Sequence, residues 1–123
     1  MNKIFNELKI NNKEIKYDNG SRYIGQVVNG LAEGKGAWYG TKEPYIGDRY
    51  EGEWRNDKKE GKGIYYHNNG NIYEGDYRNG KREGKGIFYY NNGDRAVGDY
   101  YNDKPIGKHV FLTKNGEVKT KNY

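Results

Sequence analysis

The chain has 123 residues, the length of one domain. Apolar residues make up 33% and charged residues 32%, a balance that alone would favour disorder, yet 14 tyrosines and 19 glycines recur at fixed intervals. With no cysteine, disulfides and thiolate metal sites are excluded and a reducing, cytoplasmic location is the expectation; the net charge of +5 would help an acidic partner without identifying one.

No apolar run reaches the length of a signal-peptide core or a membrane span. Met1 to Ile10, with Ile4, Phe5, Leu8 and Ile10, suffices for a short N-terminal capping element. Asn19-Gly20 closes an incomplete unit. The expected layout is a cap and partial repeat over 1–22, an array over 23–118 and a tail over 119–123, all within one structural domain.

The array is visible as self-similarity. Tyr50-Glu51-Gly52-Glu53-Trp54 returns as Tyr73-Glu74-Gly75-Asp76-Tyr77, and Gly61-Lys62-Gly63-Ile64 returns as Gly84-Lys85-Gly86-Ile87, both at an offset of 23. A fixed period of this size marks stacked units that cannot bury their apolar face alone. An earlier unit begins at Tyr23 and is four residues longer, with the extra length near Thr41 to Pro44. A later unit keeps Gly98-Asp99-Tyr100 but has Ala96 in place of the opening Tyr and His109 in place of a Gly, so its hairpin is expected to be irregular.

Each unit holds two short runs with period-two alternation and many aromatics, which favours strands. Glycine at alternate positions would weaken a helix by roughly 1 kcal/mol each. The connections, such as Arg55 to Glu60 within a unit and His67 to Asn71 between units, are turn material and imply antiparallel neighbours. The expected fold is all-β: an elongated single-layer antiparallel meander of about nine strands.

A register follows if Trp54 faces Gly61, Glu53 faces Lys62, Tyr50 faces Tyr65, and Tyr65 in turn faces Tyr73. It produces an aromatic column of Tyr23, Trp38, Tyr50, Tyr65, Tyr73, Phe88, Ala96 and Phe111. Beside it runs a glycine column from Gly25 to Gly98 that ends at His109. A third column alternates ring and glycine through Trp54, Gly61, Tyr77, Gly84, Tyr100 and Gly107. On the opposite face Lys35, Glu53, Lys62, Asp76, Lys85, Asp99 and Lys108 alternate in sign, which favours the pairing. The glycines let flanking rings lie on bare backbone.

Tyr50 to Asn56 together with Glu60 to Gly63 closely resembles the MORN repeat, and Tyr73 to Gly86 does so nearly as well. The resemblance spans about Tyr23 to Val118. It implies an elongated sheet of hairpins with a concave face, used as a scaffold to bind protein segments, to self-associate or to contact membranes. It brings no catalytic residues and no cofactor.

The candidate partner-binding surface is the aromatic face, comprising Tyr23, Trp38, Tyr50, Trp54, Tyr65, Tyr73, Tyr77, Phe88 and Tyr100. With no second layer, its rings are expected to stay partly exposed, as anchors for a partner protein segment. A small module of this kind would inhibit a partner whose functional surface it covers, for example as a phage or mobile-element inhibitor of a host defence nuclease such as a CRISPR effector. Lys58, Lys59, Lys81, Arg82 and Lys104 fall in the inner loops and would form a basic ridge. It would either be a solvated edge or contact an acidic protein, anionic phospholipid headgroups at a membrane surface or nucleic-acid phosphate, the last disfavoured because Asp57, Glu60 and Glu83 dilute the ridge. Single-stranded RNA stacking on the rings is a weaker alternative.

The Gly-Lys-Gly triplets lack the spacing of a phosphate loop. His67 and His109 have no metal-ligand spacing, so no metal site is expected. Glu51 with Glu53, or Glu74 with Asp76, could look like a catalytic couple, but Glu53 and Asp76 face lysines in this register and read as members of an ion-pair ladder; no nucleophile–base arrangement stands out, so no enzymatic activity is expected. The sheet's open edges would admit a homodimer.

Overall fold

Alternating rings and glycines fold as strands throughout residues 13–123, the part of the chain that the computed structural model describes. The capping element expected at Met1 to Ile10 lies outside the described residues. The strands are β1 (Lys13–Lys16), β2 (Arg22–Val28), β3 (Leu31–Tyr39), β4 (Arg49–Arg55), β5 (Lys58–Tyr66), β6 (Ile72–Arg78), β7 (Lys81–Tyr89), β8 (Arg95–Tyr101), β9 (Lys104–Leu112) and β10 (Val118–Asn122). They form one antiparallel sheet in strict chain order, with no helix among the described residues. The count is ten rather than nine because β10, which takes in most of residues 119–123, pairs with β9.

The register between hairpins is the one that the charge and ring columns predict. Gly61 faces Tyr77, Lys62 faces Asp76 and Tyr65 faces Tyr73; Lys35 faces Glu53, and Lys85 faces Asp99. The four extra residues of the first unit do enlarge a turn, which runs from Gly40 to Asp48 between β3 and β4.

Within each hairpin the expected register is corrected. Trp54 faces Lys59, not Gly61, and Arg55 faces Lys58; the pairing then shifts before Gly52 meets Gly63. The six-residue inner loop is in fact a two-residue turn, Asn56-Asp57, with both φ angles positive (48° and 67°). That geometry gives the twist an antiparallel hairpin needs, and Asn, Asp and Gly tolerate it best. The residues saved in the turn are absorbed by a β-bulge. Gly61 takes up the bulge at φ 67°, a left-handed conformation that costs an L side chain about 1–2 kcal/mol. Glu53 sits across from it and accepts a hydrogen bond from the Lys62 amide, rather than facing the Lys62 side chain. Gly61 is therefore needed for its backbone, whereas Gly52 and Gly63 are needed for the bare surface they offer.

On that surface lies the core. A methyl group on Gly63 would overlap the Tyr50 hydroxyl and ring, and one on Gly36 or Gly86 would overlap Tyr23 or Tyr73 in the same way. Tyr23, Tyr50 and Tyr73 are fully buried. Each hydroxyl reaches the bulge carbonyl three residues on: Tyr23 to Gln26 at 2.7 Å, Tyr50 to Glu53 at 3.0 Å and Tyr73 to Asp76 at 3.5 Å. Trp54, Tyr77 and Tyr100 wedge between them edge-on. The result is one zigzag of T-shaped contacts with centroids 4.9–5.6 Å apart, in the order Tyr23, Trp54, Tyr50, Tyr77, Tyr73, Tyr100, His109, Tyr123. Edge-to-face pairs of this kind contribute about 0.5–1.5 kcal/mol each beyond the area they bury.

The fourth unit keeps this design by exchanging strands. Ala96 supplies no ring, so the ring on Gly98 comes from His109 across the hairpin. His109 is buried, and its Nε2 lies 2.8 Å from the Asp99 carbonyl, the one a tyrosine at position 96 would reach. The β8–β9 bulge is retained but opens one residue earlier than in the other hairpins, between Val97 and Asp99, so the expected irregularity is confined to the pairing around Gly98.

Backbone amides tie successive units at both long edges, bonding to carbonyls at one and to side chains at the other. At the turns inside the hairpins, the Asp57, Gly80 and Asp103 amides donate to the Ala32, Lys59 and Arg82 carbonyls. At the opposite edge, Asp48, Asn71 and Asp94 accept from the Asn68, Asn91 and Lys114 amides.

Candidate functional site: a row of half-exposed rings

The corrected register decides what the ring face presents. Six of the nine rings expected as anchors are buried: Tyr23, Tyr50 and Tyr73 completely, and Trp54, Tyr77 and Tyr100 to 6% exposure. The expectation that Tyr50, Trp54, Tyr73, Tyr77 and Tyr100 stay partly open therefore fails, because the edge-on wedges close the gaps above the glycines. These side chains are the floor. Desolvation raises the hydroxyl pKa of each buried tyrosine above the ordinary phenol value, so the floor stays neutral.

Trp38, Tyr65 and Phe88 are half-exposed beside that floor. They occupy the same place in three successive units, one strand after the buried tyrosine column. His67 and Tyr90, two residues after Tyr65 and Phe88 and just past the ends of β5 and β7, and Tyr45 from the enlarged turn complete a row. Its ring centroids run Tyr45–Trp38 at 6.4 Å, Trp38–Tyr65 at 6.3 Å, Tyr65–His67 at 4.6 Å, His67–Phe88 at 5.9 Å and Phe88–Tyr90 at 4.8 Å. Tyr45 and Tyr90 are 53% and 37% exposed. The Tyr65 hydroxyl donates to the buried Asp48 carboxylate at 2.6 Å, which fixes the ring and pushes its pKa upward together with burial. Burial lowers the His67 pKa, so the imidazole is neutral at pH 7 and completes an uncharged row.

Tyr45, His67 and Tyr90 lay outside the expected site. Their signal in the sequence was parity: His67 and Tyr90 lie two residues beyond Tyr65 and Phe88 and so share their face. The reading of residues 67–71 as turn hid it.

The basic residues divide. Trp54 pairs with Lys59 and Tyr77 with Arg82, so both cations lie on the ring face. The Lys59 ammonium sits 5.6–5.7 Å from the centroids of Tyr50, Tyr65 and Tyr77. The Arg82 guanidinium lies 4.8 Å from Tyr100 and pairs with Asp103 at 2.8 Å. Lys58, Lys81 and Lys104 remain exposed, and Lys81 bonds the Asn102 side chain at 3.0 Å. The ridge thus keeps three of its five expected cations on the outside.

Two hollows flank Lys59 on the ring face. One of 340 Å³ is bounded by Tyr17, Trp38, Trp54 and Asp57, and one of 290 Å³ by Tyr65, His67, Phe88 and Arg82. A larger hollow of 740 Å³ lies between hairpin tips, but its Arg55, Lys58 and Arg78 are balanced by Glu60, Asp76 and Glu83. It has neither the apolar surface nor the single sign of charge that would select a ligand.

Glu51 is buried with Arg49 Nε 3.1 Å away, and that guanidinium lies 4.1 Å from the Tyr66 ring centroid. Among the described residues no cluster of three or more His, Asp or Glu is placed to hold a metal.

A single-layer sheet of hairpins, each closed by glycine under a ring, is the architecture of a repeat protein. The MORN repeat family matches this chain at residues 23–41, 50–72 and 73–95, more than half its length, and the chain belongs to that family. No curated protein matches it. Among solved structures it is similar to the TCP domain of SAS-4 (dCPAP) from Drosophila melanogaster, which was determined in complex with a proline-rich motif of Ana2 (dSTIL). That similarity covers 91% of this chain and 90% of the other at 14% identity, with a TM-score of 0.39.

Proposed function

We propose that the protein is a non-catalytic binding module that holds a segment of a partner protein along the row Tyr45, Trp38, Tyr65, His67, Phe88 and Tyr90. The observation that carries this reading is the continuity of the row. Six neighbouring rings remain accessible in one connected row, beside six aromatic rings of the same face that are buried. Contiguous exposed aromatic surface is where protein partners dock, and rigid rings lose little entropy on binding. Backing by the buried floor preorganises them further.

The test is affinity capture from the native host, followed by Trp38→Ala, Tyr65→Ala and Phe88→Ala measured against the captured partner. Binding should fall by about 1–3 kcal/mol for each ring, while the melting transition persists. Unchanged affinity in the triple variant with folding intact contradicts the reading. If the partner is an enzyme, such as a defence nuclease, coverage of its working surface makes the module an inhibitor, and the captured partner's activity shows whether it is one. Membrane attachment rests on Lys58, Lys81 and Lys104 alone and predicts salt-sensitive binding to anionic vesicles.

A further inference from the structure

Position 80 breaks a pattern that its neighbours keep. The first inner turn has Gly30 as its second residue; the three that follow have Asp57, Gly80 and Asp103. Each of these three donates its amide to the residue that opens the ring-face end of the preceding hairpin: Ala32, Lys59 and Arg82. Asp57 and Asp103 also send their carboxylates back. Asp57 accepts from the Ala32 amide at 2.7 Å, and Asp103 from the Arg82 amide at 3.3 Å and its guanidinium at 2.8 Å. Gly80 has no side chain to send.

Lys59 is the residue left facing that gap. Among the described residues its ammonium has no carboxylate at ion-pair distance; its charged neighbours Asp57 and Asp103 are held by Tyr17 and Ala32, and by Arg82. Its contacts are three ring faces, and desolvation pulls its pKa below that of an ordinary lysine. The space above Gly80 is open, with nothing within 4 Å of where a Cβ would stand. Gly80 and Lys59 line both hollows on the ring face.

We propose that an aspartate or glutamate side chain of the partner segment occupies the place above Gly80 and pairs with Lys59, with apolar residues on either side lying on Trp38 and on Tyr65 and Phe88. This rests on the reading of the ring row as the docking surface and adds its charge specificity. A carboxylate is favoured over a phosphate because the chain itself puts a carboxylate in the equivalent place twice. One cation stands there rather than a cluster, since Arg82 is already neutralised. A charge pair enclosed by rings gains strength from the low local dielectric and rejects segments without the acid.

The experiment selects peptides from a random dodecapeptide display library on the whole chain and measures them against variants. Selected peptides should carry an acidic residue between apolar ones. Gly80→Asp fills the place from within; Asp57 and Asp103 hold the same left-handed backbone at φ 67° and 71°, so the variant should fold and melt no lower than the parent. It should weaken the peptides by at least about tenfold, as should Lys59→Met, while Lys59→Arg retains binding. Undiminished binding by Gly80→Asp and Lys59→Met overturns the inference. So does preference for single-stranded RNA or phosphatidylserine vesicles over acidic peptides. Peptides that need Trp38, Tyr65 and Phe88 but carry no acid overturn the carboxylate and leave the ring row standing. Peptides indifferent to those rings, or an empty selection, remove both.

Discussion

The units that open at Tyr50 and at Ala96 solve one packing problem from opposite strands. In the first, a tyrosine on β4 lies across Gly52 and Gly63, and its hydroxyl reaches the Glu53 carbonyl at 3.0 Å. In the second, His109 on β9 lies on Gly98 and reaches the Asp99 carbonyl at 2.8 Å. The sheet therefore requires a function rather than a residue: one flat ring over bare backbone, with a polar atom that satisfies the bulge carbonyl. A buried carbonyl left without a donor costs about 1–3 kcal/mol, which explains why neither solution uses phenylalanine. The difference between the two lies in their neighbours. Tyr50 is gripped by Trp54 and Tyr77, whereas His109 is gripped by Tyr100 and Tyr123.

The sharpest way to break the comparison is to remove each ring. Tyr50→Ala should cost about 3–5 kcal/mol in denaturant unfolding, since it empties the middle of the zigzag. His109→Ala should cost less, because its site lies by the edge strand β10 and can relax. Equal losses would mean that the ring zigzag is not what couples the units. A smaller effect separates the two kinds of left-handed position. Gly61→Ala should cost about 1–2 kcal/mol through its backbone, while Gly80→Asp should be tolerated at the same sign of φ.

The smallest effect concerns the other histidine. Burial between Tyr65 and Phe88 lowers the His67 pKa, so the native state binds its proton less readily than the unfolded chain. The stability this contributes is complete above the unfolded value of about 6.5 and is lost as pH falls through the folded value. Tm should therefore drop between pH 7.5 and pH 5.5 by more in the parent than in His67→Phe. An equal drop in both would place the imidazole in water.

Much of this was legible in the sequence because spacing records register. The offset of 23 between Tyr50 and Tyr73 and the alternating signs from Lys35 to Asp99 fix which residues meet between hairpins, and those pairs are as expected. The hairpin interior was misjudged because Asn56-Asp57 and Asn79-Gly80 are compact turns whose backbone preference was spread over a six-residue loop. One consequence followed directly. Moving Lys59 and Arg82 from an edge to positions opposite Trp54 and Tyr77 turned two cations of the expected ridge into part of the ring face. Burial was misjudged for another reason: column membership says which rings are neighbours, but not that edge-on wedges such as Trp54 seal them.

Transplanting one solution into the other unit tests the central claim most directly. Ala96→Tyr alone crowds His109, and His109→Gly alone bares Gly98 and the Asp99 carbonyl, so each should lower stability by about 1–3 kcal/mol. The double variant restores a tyrosine over paired glycines and should return to within about 1 kcal/mol of the parent, a strongly non-additive cycle. Additive losses in the double variant would contradict an account in which rings lying on glycine backbone hold this sheet together.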